Sequence, residues 1–283
     1  MASRRAGGGP VAPAAAPSAR LAAVTPSLAD DLALAHRLAD AADVLTAVAF
    51  TGEAVAHELK PDGSPVSETD LQVERRISEI VAAERPGDGV LGEEVGGSGP
   101  VGRRWIVDGI DGTVLFVAGL RGWATEIALV VDGEPVVGVS TCGADGRRWW
   151  AARGAGAWRS CRVGPPEQLA VSGHAGLDGA RYSLIPPLDA LAADRRRLVG
   201  GLEPAATYVP PVEHGAVFVA EGRVEACLQL GGGAWDFAAL AVVVEEAGGR
   251  FSDLDGGRDL YGGGPVVFSN GRTHDAVLAA LRT

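Results

Sequence analysis

Apolar residues recur every three or four positions in two early segments of the chain, 27–50 and 70–85. This is the period of an amphipathic helix. Ser27 and Asp30 resemble a capping box at the start of the first segment, and Gly87, after a proline, ends the second. We therefore predict two long helices, joined by a polar segment with turn-forming Pro and Gly residues.

Runs of β-branched and aromatic residues predict strands in the middle of the chain. Four segments have this pattern: 90–97, 104–108, 124–141 and 147–158. Asp132-Gly133 divides the third segment into two runs, as expected for a hairpin, and Gly154 with Gly156 marks a turn in the fourth. A tight turn is predicted directly after Asp108.

The last third of the chain is less regular after Pro165. Four predicted elements follow in it: a helix–strand or strand-rich segment over 216–230, a strong helix over 235–249, a strand over 265–270, and a final helix over 274–282 capped by Thr273. Helices mixed with antiparallel hairpins predict an α/β fold with layered sheets. We divide the chain into a disordered Ala/Pro/Gly-rich tail (1–25), an N-terminal α+β half (26–160) and a C-terminal α/β half (161–283).

Composition and charge limit the classes of function. The chain has 283 residues, of which 47% are hydrophobic, so it is long enough for a sizeable core. Its net charge is −11 and it has no basic stripe, so nucleic acid is not an expected partner. No apolar stretch approaches the length of a membrane span. Cys142, Cys161 and Cys227 show no paired spacing, and reduced thiols in a cytoplasmic protein are expected.

Four acidic residues share one context, because each ends a predicted strand or begins a helix among glycines: Glu93, Asp108, Asp111 and Asp236. Like charges brought together without cations repel each other. Mg²⁺ prefers carboxylate, carbonyl and phosphate oxygens, so it would relieve this repulsion. Gly109 and Gly112 let the backbone fold tightly enough for the Ile110 carbonyl to join the two aspartates. No His and Cys cluster offers a zinc site.

Thr113 follows the second aspartate by two residues, and Asp70 begins the second predicted helix. A threonine hydroxyl oriented by an acid can hold a metal-activated water. Two cations about 3.5–4 Å apart can activate that water and stabilise the leaving oxygen of a displacement at phosphorus. This set of residues is best suited to the hydrolysis of a phosphate monoester.

Each of these features also has an ordinary explanation. Asp-Gly pairs form turns, Asp236 could cap its helix, Thr69-Asp70 could cap the second helix, and the Glu93-Glu94 pair could simply be solvated. The glycines before Asp236 could form an anion nest, but no GxGxxG motif supports a nucleotide-binding module. A regulatory protein that binds metal or phosphate without turnover is the alternative function.

Four motifs carry a resemblance to a known family: 60–70, 91–94, 105–113 and 235–249. In order and spacing they resemble the inositol monophosphatase superfamily, from about residue 28 to the end. Segment 147–158 is similar to bacterial histidinol-phosphate phosphatases of that superfamily. The resemblance implies a layered αβαβα sandwich, a homodimer, and Mg²⁺-dependent hydrolysis of a small phosphorylated metabolite with two or three ions.

The matched motifs also imply roles for individual residues. The implied metal ligands are Glu93, Asp108, the Ile110 carbonyl, Asp111 and Asp236. Asp108 is shared by the first two ions, and Glu93 also assists a weaker third. Asp70 and Thr113 would orient the nucleophilic water, and Lys60 matches the lysine of the family's mobile loop. The implied substrate contacts are Asp111, the backbone N–H groups of Gly112 and Thr113, Glu213, His214 and Gln229.

The sequence departs from the family pattern mainly on the substrate side. Gly109 replaces a proline, and apolar Val114 and Leu115 replace polar residues. Gln229 stands where inositol phosphatases have a substrate-binding glutamate. Glu213 and His214 lie where histidinol-phosphate phosphatases tend to have a Gly-Asp pair, although His214 could be purely structural. Histidinol phosphate is the leading candidate substrate, and a sugar, cyclitol or nucleoside phosphate is the next.

Overall fold

The structure is a computed structural model that describes residues 26–161 and 163–282, so the predicted tail over 1–25 lies outside it. The helices are α1 Leu28–Ala49, α2 Glu68–Glu84, α3 Thr113–Val117, α4 Ala193–Val199, α5 Gly215–Ala220, α6 Ala234–Glu246 and α7 His274–Ala280. The strands are β1 His57–Leu59, β2 Pro65–Ser67, β3 Gly89–Gly92, β4 Gly96–Ser98, β5 Arg103–Asp111, β6 Ala124–Val131, β7 Glu134–Cys142, β8 Arg147–Ala152, β9 Ala157–Ser160, β10 Glu167–Gln168, β11 Arg181–Ile185, β12 Thr207–Tyr208, β13 Ala226–Gln229, β14 Arg250–Asp253 and β15 Val266–Ser269.

The larger sheet has eight strands in the order β10-β9-β8-β7-β6-β5-β3-β4. Its centre is the predicted β6–β7 hairpin, which pairs antiparallel. Asp132 and Gly133 at the hairpin turn have φ values of 51° and 84°. Positive φ at both positions is the geometry that Asp-Gly favours in a two-residue hairpin loop, so the predicted turn is confirmed.

Helices α1 and α2 cover one face of this sheet. Leu34 and Leu38 of α1 and Ile77 of α2 are fully buried against sheet residues such as Trp105 and Ile127. Ser27 and Asp30 form the predicted capping box at the start of α1. The apolar residues that gave the helical period in the sequence therefore do face the core.

Helix α6 lies between the two sheets. It contacts β7 on one side and β14 on the other, and its side chains from Phe237 to Val244 are all buried. A helix that is apolar all round is expected in such an interior layer. A side chain at Gly138 of β7 would clash with the Ala239 carbonyl, so glycine allows α6 to lie directly against the strand.

The smaller sheet has the order β12-β11-β13-β15-β14. Helices α5 and α6 contact one of its faces. Leu184, Val199, Leu228 and Val277 join α4 and α7 to the opposite face in a separate hydrophobic cluster. The layers therefore run αβαβα, as the family resemblance predicted. None of the helices described has the length and apolar composition needed to cross a membrane.

The structure corrects two local expectations and adds several elements. Strand β5 continues to Asp111 with an irregular register after Asp108, so the predicted tight turn is a distorted strand end. Thr273 precedes α7, but its hydroxyl donates to Asn270 Oδ1 at 2.8 Å and does not cap the helix. Strands β1, β2, β4, β10, β11, β12 and β14 and helix α4 were not predicted. The division of the chain near residue 160 stays a prediction.

Candidate active site

Three carboxylates converge where β5 ends and α6 begins. Asp108 and Asp111 come from β5, and Asp236 is the third residue of α6. Each offers a carboxylate oxygen, and these oxygens lie within 4.8 Å of one another. The sheet and the central helix thus bring together three of the predicted metal ligands from two distant parts of the chain.

The carboxylates repel each other in the absence of a cation. Burial, followed by the charges of Glu93, Asp111 and Asp236, raises the pKa of Asp108 well above its usual range. Burial and the charge of Asp236 do the same to the pKa of Asp111. The pKa of Asp236 rises to about 7, chiefly through burial, although the Gly233 N–H opposes this at 2.5 Å from its carboxylate. Oxygen donors held this close fit a hard divalent cation such as Mg²⁺.

Glu93 lies beside the cluster but outside the group of three. Its charge raises the pKa of all three aspartates. Its Oε1 accepts a hydrogen bond from Lys60 Nζ at 2.7 Å, and the same ammonium lies 2.7 Å from Glu94 Oε1. Burial lowers the pKa of Lys60, but these two hydrogen bonds outweigh it and raise the pKa overall. The Glu93 carboxylate is therefore paired with the Lys60 ammonium in this structure.

Thr113 and Asp70 form the predicted pair. The Thr113 hydroxyl lies 3.1 Å from Asp70 Oδ1 and 2.9 Å from the Ile110 carbonyl oxygen. The other oxygen of Asp70, Oδ2, accepts from the Ser67 N–H at 2.9 Å and closes the capping box of α2. Asp70 is therefore both a helix-capping residue and the partner of Thr113. A Cβ at Gly109 would lie 2.6 Å from the Asp70 carbonyl oxygen, so this glycine lets β5 approach α2 closely.

Gly112 and Thr113 begin the short helix α3. Gly112 has φ 83°, a conformation that glycine adopts without strain. Its N–H donates a hydrogen bond to the Asp111 carboxylate, and this bond opposes the rise in the pKa of Asp111 that burial causes. After them Val114 is exposed at the surface, and Leu115 lies close to Gly122. The backbone of this turn therefore borders the cluster, with an apolar rim outside it.

His214 is a structural residue that also borders the cluster. Its Nδ1 accepts from the Ala216 N–H at 3.1 Å and caps α5, so Nε2 carries the proton and donates to Gln229 Oε1 at 3.0 Å. Burial lowers the pKa of His214 to about 4, which keeps the ring neutral at pH 7. Nε2 also lies 3.9 Å from Asp111 Oδ2. Glu213, next to it, forms an ion pair with Arg147.

Residues 28–283 match the sequence profile of the Inositol monophosphatase family. The chain belongs to this family. It is therefore a phosphatase, a phosphoric monoester hydrolase. Enzymes of the inositol monophosphatase family use divalent metals, and the acidic cluster described above is present in this member.

Individual relatives include two named as phosphatases and one named for a different activity. A histidinol-phosphatase of Mycobacterium tuberculosis is 45% identical over 89% of this chain and 98% of its own length. A protein of Streptomyces griseus named glucose-1-phosphate thymidylyltransferase is 46% identical over 81% of this chain and 88% of its own length. The solved inositol monophosphatase of Zymomonas mobilis aligns with a TM-score of 0.78 and 26% identity, over 92% of this chain and all of that chain. The resemblance read from the motifs, and the αβαβα fold it implied, are confirmed.

Two buried acids of this inositol monophosphatase family member were missed in the sequence. Glu126 on β6 lies opposite Asp108, and its Oε1 accepts from Ser140 Oγ at 2.6 Å. Burial, and then the charge of Asp111, raises the pKa of Glu126 well above its usual range. Glu74 on α2 is also buried, and burial raises its pKa to about 7. A lone acid inside the apolar run of β6 was a signal for Glu126, whereas Glu74 occupies an ordinary helical position.

The raised carboxyl pKa values predict how pH and Mg²⁺ act together on thermal stability. A pKa raised from 3.8 to about 7, as at Asp236, favours folding of the metal-free protein below pH 3.8. That contribution is lost as the pH rises to about 7, and Mg²⁺ would remove the repulsion responsible. We expect the increase in Tm on adding Mg²⁺ to grow by several degrees between pH about 5 and about 8. Thermal unfolding with EDTA and with Mg²⁺ at each pH measures this increase in Tm. An increase in Tm that is the same at pH about 5 and about 8 would contradict the assignment of the three aspartates as a metal site.

Proposed function

We propose that this phosphatase hydrolyses a small phosphate monoester in a Mg²⁺-dependent reaction, with histidinol phosphate as the leading substrate. The observation that carries the proposal is the convergence of Asp108, Asp111 and Asp236 beside the Thr113–Asp70 pair. A metal-binding regulatory homologue needs the cluster but not the pair. A pair aimed at an attacking water favours turnover.

The proposed metal ligands are Glu93, Asp108, the Ile110 carbonyl, Asp111 and Asp236. When bound, Mg²⁺ supplies positive charge that stabilises the phosphate and lowers the pKa of water. We propose that Glu93, Asp108 and the Ile110 carbonyl would hold a first ion, that Asp108, Asp111 and Asp236 would hold a second, and that Glu93 would also assist a weaker third. Release of Lys60 from Glu93 would free that carboxylate for metal binding.

The chain itself orients the water and removes its proton. The Thr113 hydroxyl donates to Asp70 Oδ1, so its oxygen lone pair can accept from the attacking water. As the water oxygen bonds to phosphorus, its proton passes through the Thr113 hydroxyl to Asp70. Ser67 holds the other Asp70 oxygen at 2.6 Å from its own Oγ, which keeps the acceptor in place. The bond from phosphorus to the alcohol oxygen breaks, the leaving oxygen takes a proton from a solvent water, and Asp70 returns its proton to solvent as phosphate and an alcohol are released.

The surroundings of the cluster support a polar substrate with some apolar surface. The N–H groups of Gly112 and Thr113 lie at a helix start, where backbone donors favour phosphate. Val114 supplies exposed apolar surface beside them. His214 Nε2 lies 3.9 Å from Asp111 Oδ2 and Glu213 is its chain neighbour, so an ammonium group of the substrate could replace Arg147 as the partner of Glu213. Histidinol phosphate carries such an ammonium group, and a 45% identical relative is named a histidinol-phosphatase.

The direct test is release of inorganic phosphate from a panel of monoesters, with Mg²⁺ and with EDTA. The panel contains histidinol phosphate, inositol 1-phosphate, glucose 1-phosphate and a nucleoside monophosphate. We expect Mg²⁺-dependent release that is fastest from histidinol phosphate. Metal binding without release from any monoester would instead support the regulatory alternative. The homodimer stays a prediction, which the mass in solution can test.

Variants of the substrate-facing residues should change KM more than kcat. Glu213→Ala is expected to raise KM for the best substrate about tenfold, because it removes about 1.4 kcal/mol of binding. His214→Ala is expected to shift substrate preference, and it should also lower Tm because α5 loses its cap. Steady-state kinetics on the panel check both, with exposed Glu203→Ala as the control. Unaltered kinetics in both variants would exclude these two residues from the substrate site.

A further inference from the structure

Glu74 is a buried carboxylate that binds the turn carrying Glu93. It is 1% exposed, and it accepts from the Glu94 N–H at 3.1 Å and from the Val95 N–H at 2.8 Å. On the other side of Glu93, a side chain at Gly92 would clash with the Glu74 carboxylate. The residues before and after Glu93 therefore both lie against Glu74.

The turn is also fixed to the sheet. Glu93 lies between β3 and β4, and its own N–H donates to the Val107 carbonyl of β5 at 3.2 Å. Val107 directly precedes Asp108. One side of the turn is thus tied to the strand that carries the aspartates, and the other side is tied to helix α2 through Glu74. These two attachments determine where the Glu93 carboxylate lies relative to the cluster.

Helix α2 carries both Glu74 and Asp70, four residues apart. Residues at this spacing lie on the same face of a helix, one turn from each other. Asp70 contacts Thr113, whereas Glu74 contacts the Glu93 turn. A single rigid turn of α2 therefore holds the pair that orients water and the turn that carries a proposed metal ligand.

We propose that Glu74 is a positioning residue that sets the Glu93 carboxylate for metal binding, an inference that rests on the proposed Mg²⁺ site. The hydrogen bonds that its carboxylate accepts from the Glu94 and Val95 N–H groups hold the turn in one conformation before the cation arrives. Preorganised ligands bind a cation more tightly, because less conformational freedom is lost on binding. Glu74 does not touch substrate, and its effect passes through Glu93.

The test is Glu74→Gln, which keeps the volume of the side chain but places an NH₂ group against one of the two N–H donors. We expect the Mg²⁺ concentration for half-maximal activity to rise about tenfold, with kcat at saturating Mg²⁺ within about threefold of wild type. Calorimetric titration with Mg²⁺ alone should show the same loss of affinity. Because titration needs no turnover, it tests the positioning role even if every monoester on the panel fails.

Controls separate positioning from general stability. Val81→Ala removes buried volume from the same helix and should lower Tm without changing Mg²⁺ affinity. Glu79→Gln alters an exposed glutamate of α2 and should change neither. If Glu74→Gln proves too unstable, Gly92→Ala presses a methyl group on the Glu74 carboxylate from the turn itself and should weaken Mg²⁺ binding similarly. Wild-type Mg²⁺ affinity in whichever of the two variants folds would overturn the proposal.

Discussion

Asp108→Asn is expected to reduce kcat by at least about 10³-fold, or about 4 kcal/mol of transition-state stabilisation. Asp108 is the buried member of the acidic cluster and lies close to both Asp111 and Asp236. An amide at this position removes a full negative charge shared by two proposed ions, while the shape of the side chain is kept. The remaining carboxylates cannot replace it, because β5 and α6 hold them in fixed positions.

The same variant has an opposite effect on stability, which makes the prediction specific. Removal of one of several mutually repelling charges should raise the Tm of the metal-free protein, and the increase in Tm caused by Mg²⁺ should disappear. Phosphate release and thermal unfolding measure the two effects on the same samples. Asp178→Asn, at an exposed aspartate, is the matched control and should behave as wild type. Full activity in Asp108→Asn would exclude the proposed metal site.

Thr113→Val should reduce kcat about 10²-fold and leave Mg²⁺ affinity unchanged. Valine has nearly the shape of threonine but lacks the hydroxyl that contacts Asp70 Oδ1. The water would then lose its orienting acceptor, and Asp70 would receive no proton, whereas the three aspartates stay in place. Activity against Mg²⁺ concentration and calorimetric Mg²⁺ titration separate the two quantities.

Asp70→Asn provides the comparison for this prediction, because it removes the proton acceptor and keeps Thr113. The two single variants and the double variant should lose activity to a similar extent, since both residues act as one unit. Thr51→Val, at an exposed threonine, controls for the substitution itself. Additive losses in the double variant would show that Thr113 and Asp70 act separately.

Features determined by a few neighbouring residues could be predicted from the sequence. Asp132-Gly133 favours one type of hairpin turn, and Ser27 with Asp30 satisfies the first N–H groups of α1. The apolar run of α6, ended by Gly248 and Gly249, likewise predicted a helix there. The convergence of Asp236 with Asp108 depends on the packing of whole layers, so it was expected only from the family resemblance.

Other features escaped prediction because their causes are not local. Strands β11 and β12 are short and lie among Pro and Gly residues, so no periodic pattern develops in them. In the sequence Glu74 resembles any other polar residue of α2. Its distinguishing contact is the hydrogen bond from the Glu94 N–H, which lies 20 positions later in the chain. Arg147 and Glu213 are 66 positions apart in an ordinary charged context. Tertiary contacts give these residues their roles, and a single sequence does not encode such contacts in its spacing.

The enclosure of α6 between two sheets has a consequence for how such an enzyme can diverge. Asp236 sits on an element that has no free side, so a substitution along α6 disturbs both neighbouring layers at once. New substrate preferences are therefore most accessible to evolution through the outer segments 114–115 and 209–213, none of whose residues is fully buried. The catalytic centre can in this way stay the same during evolution while the substrate changes.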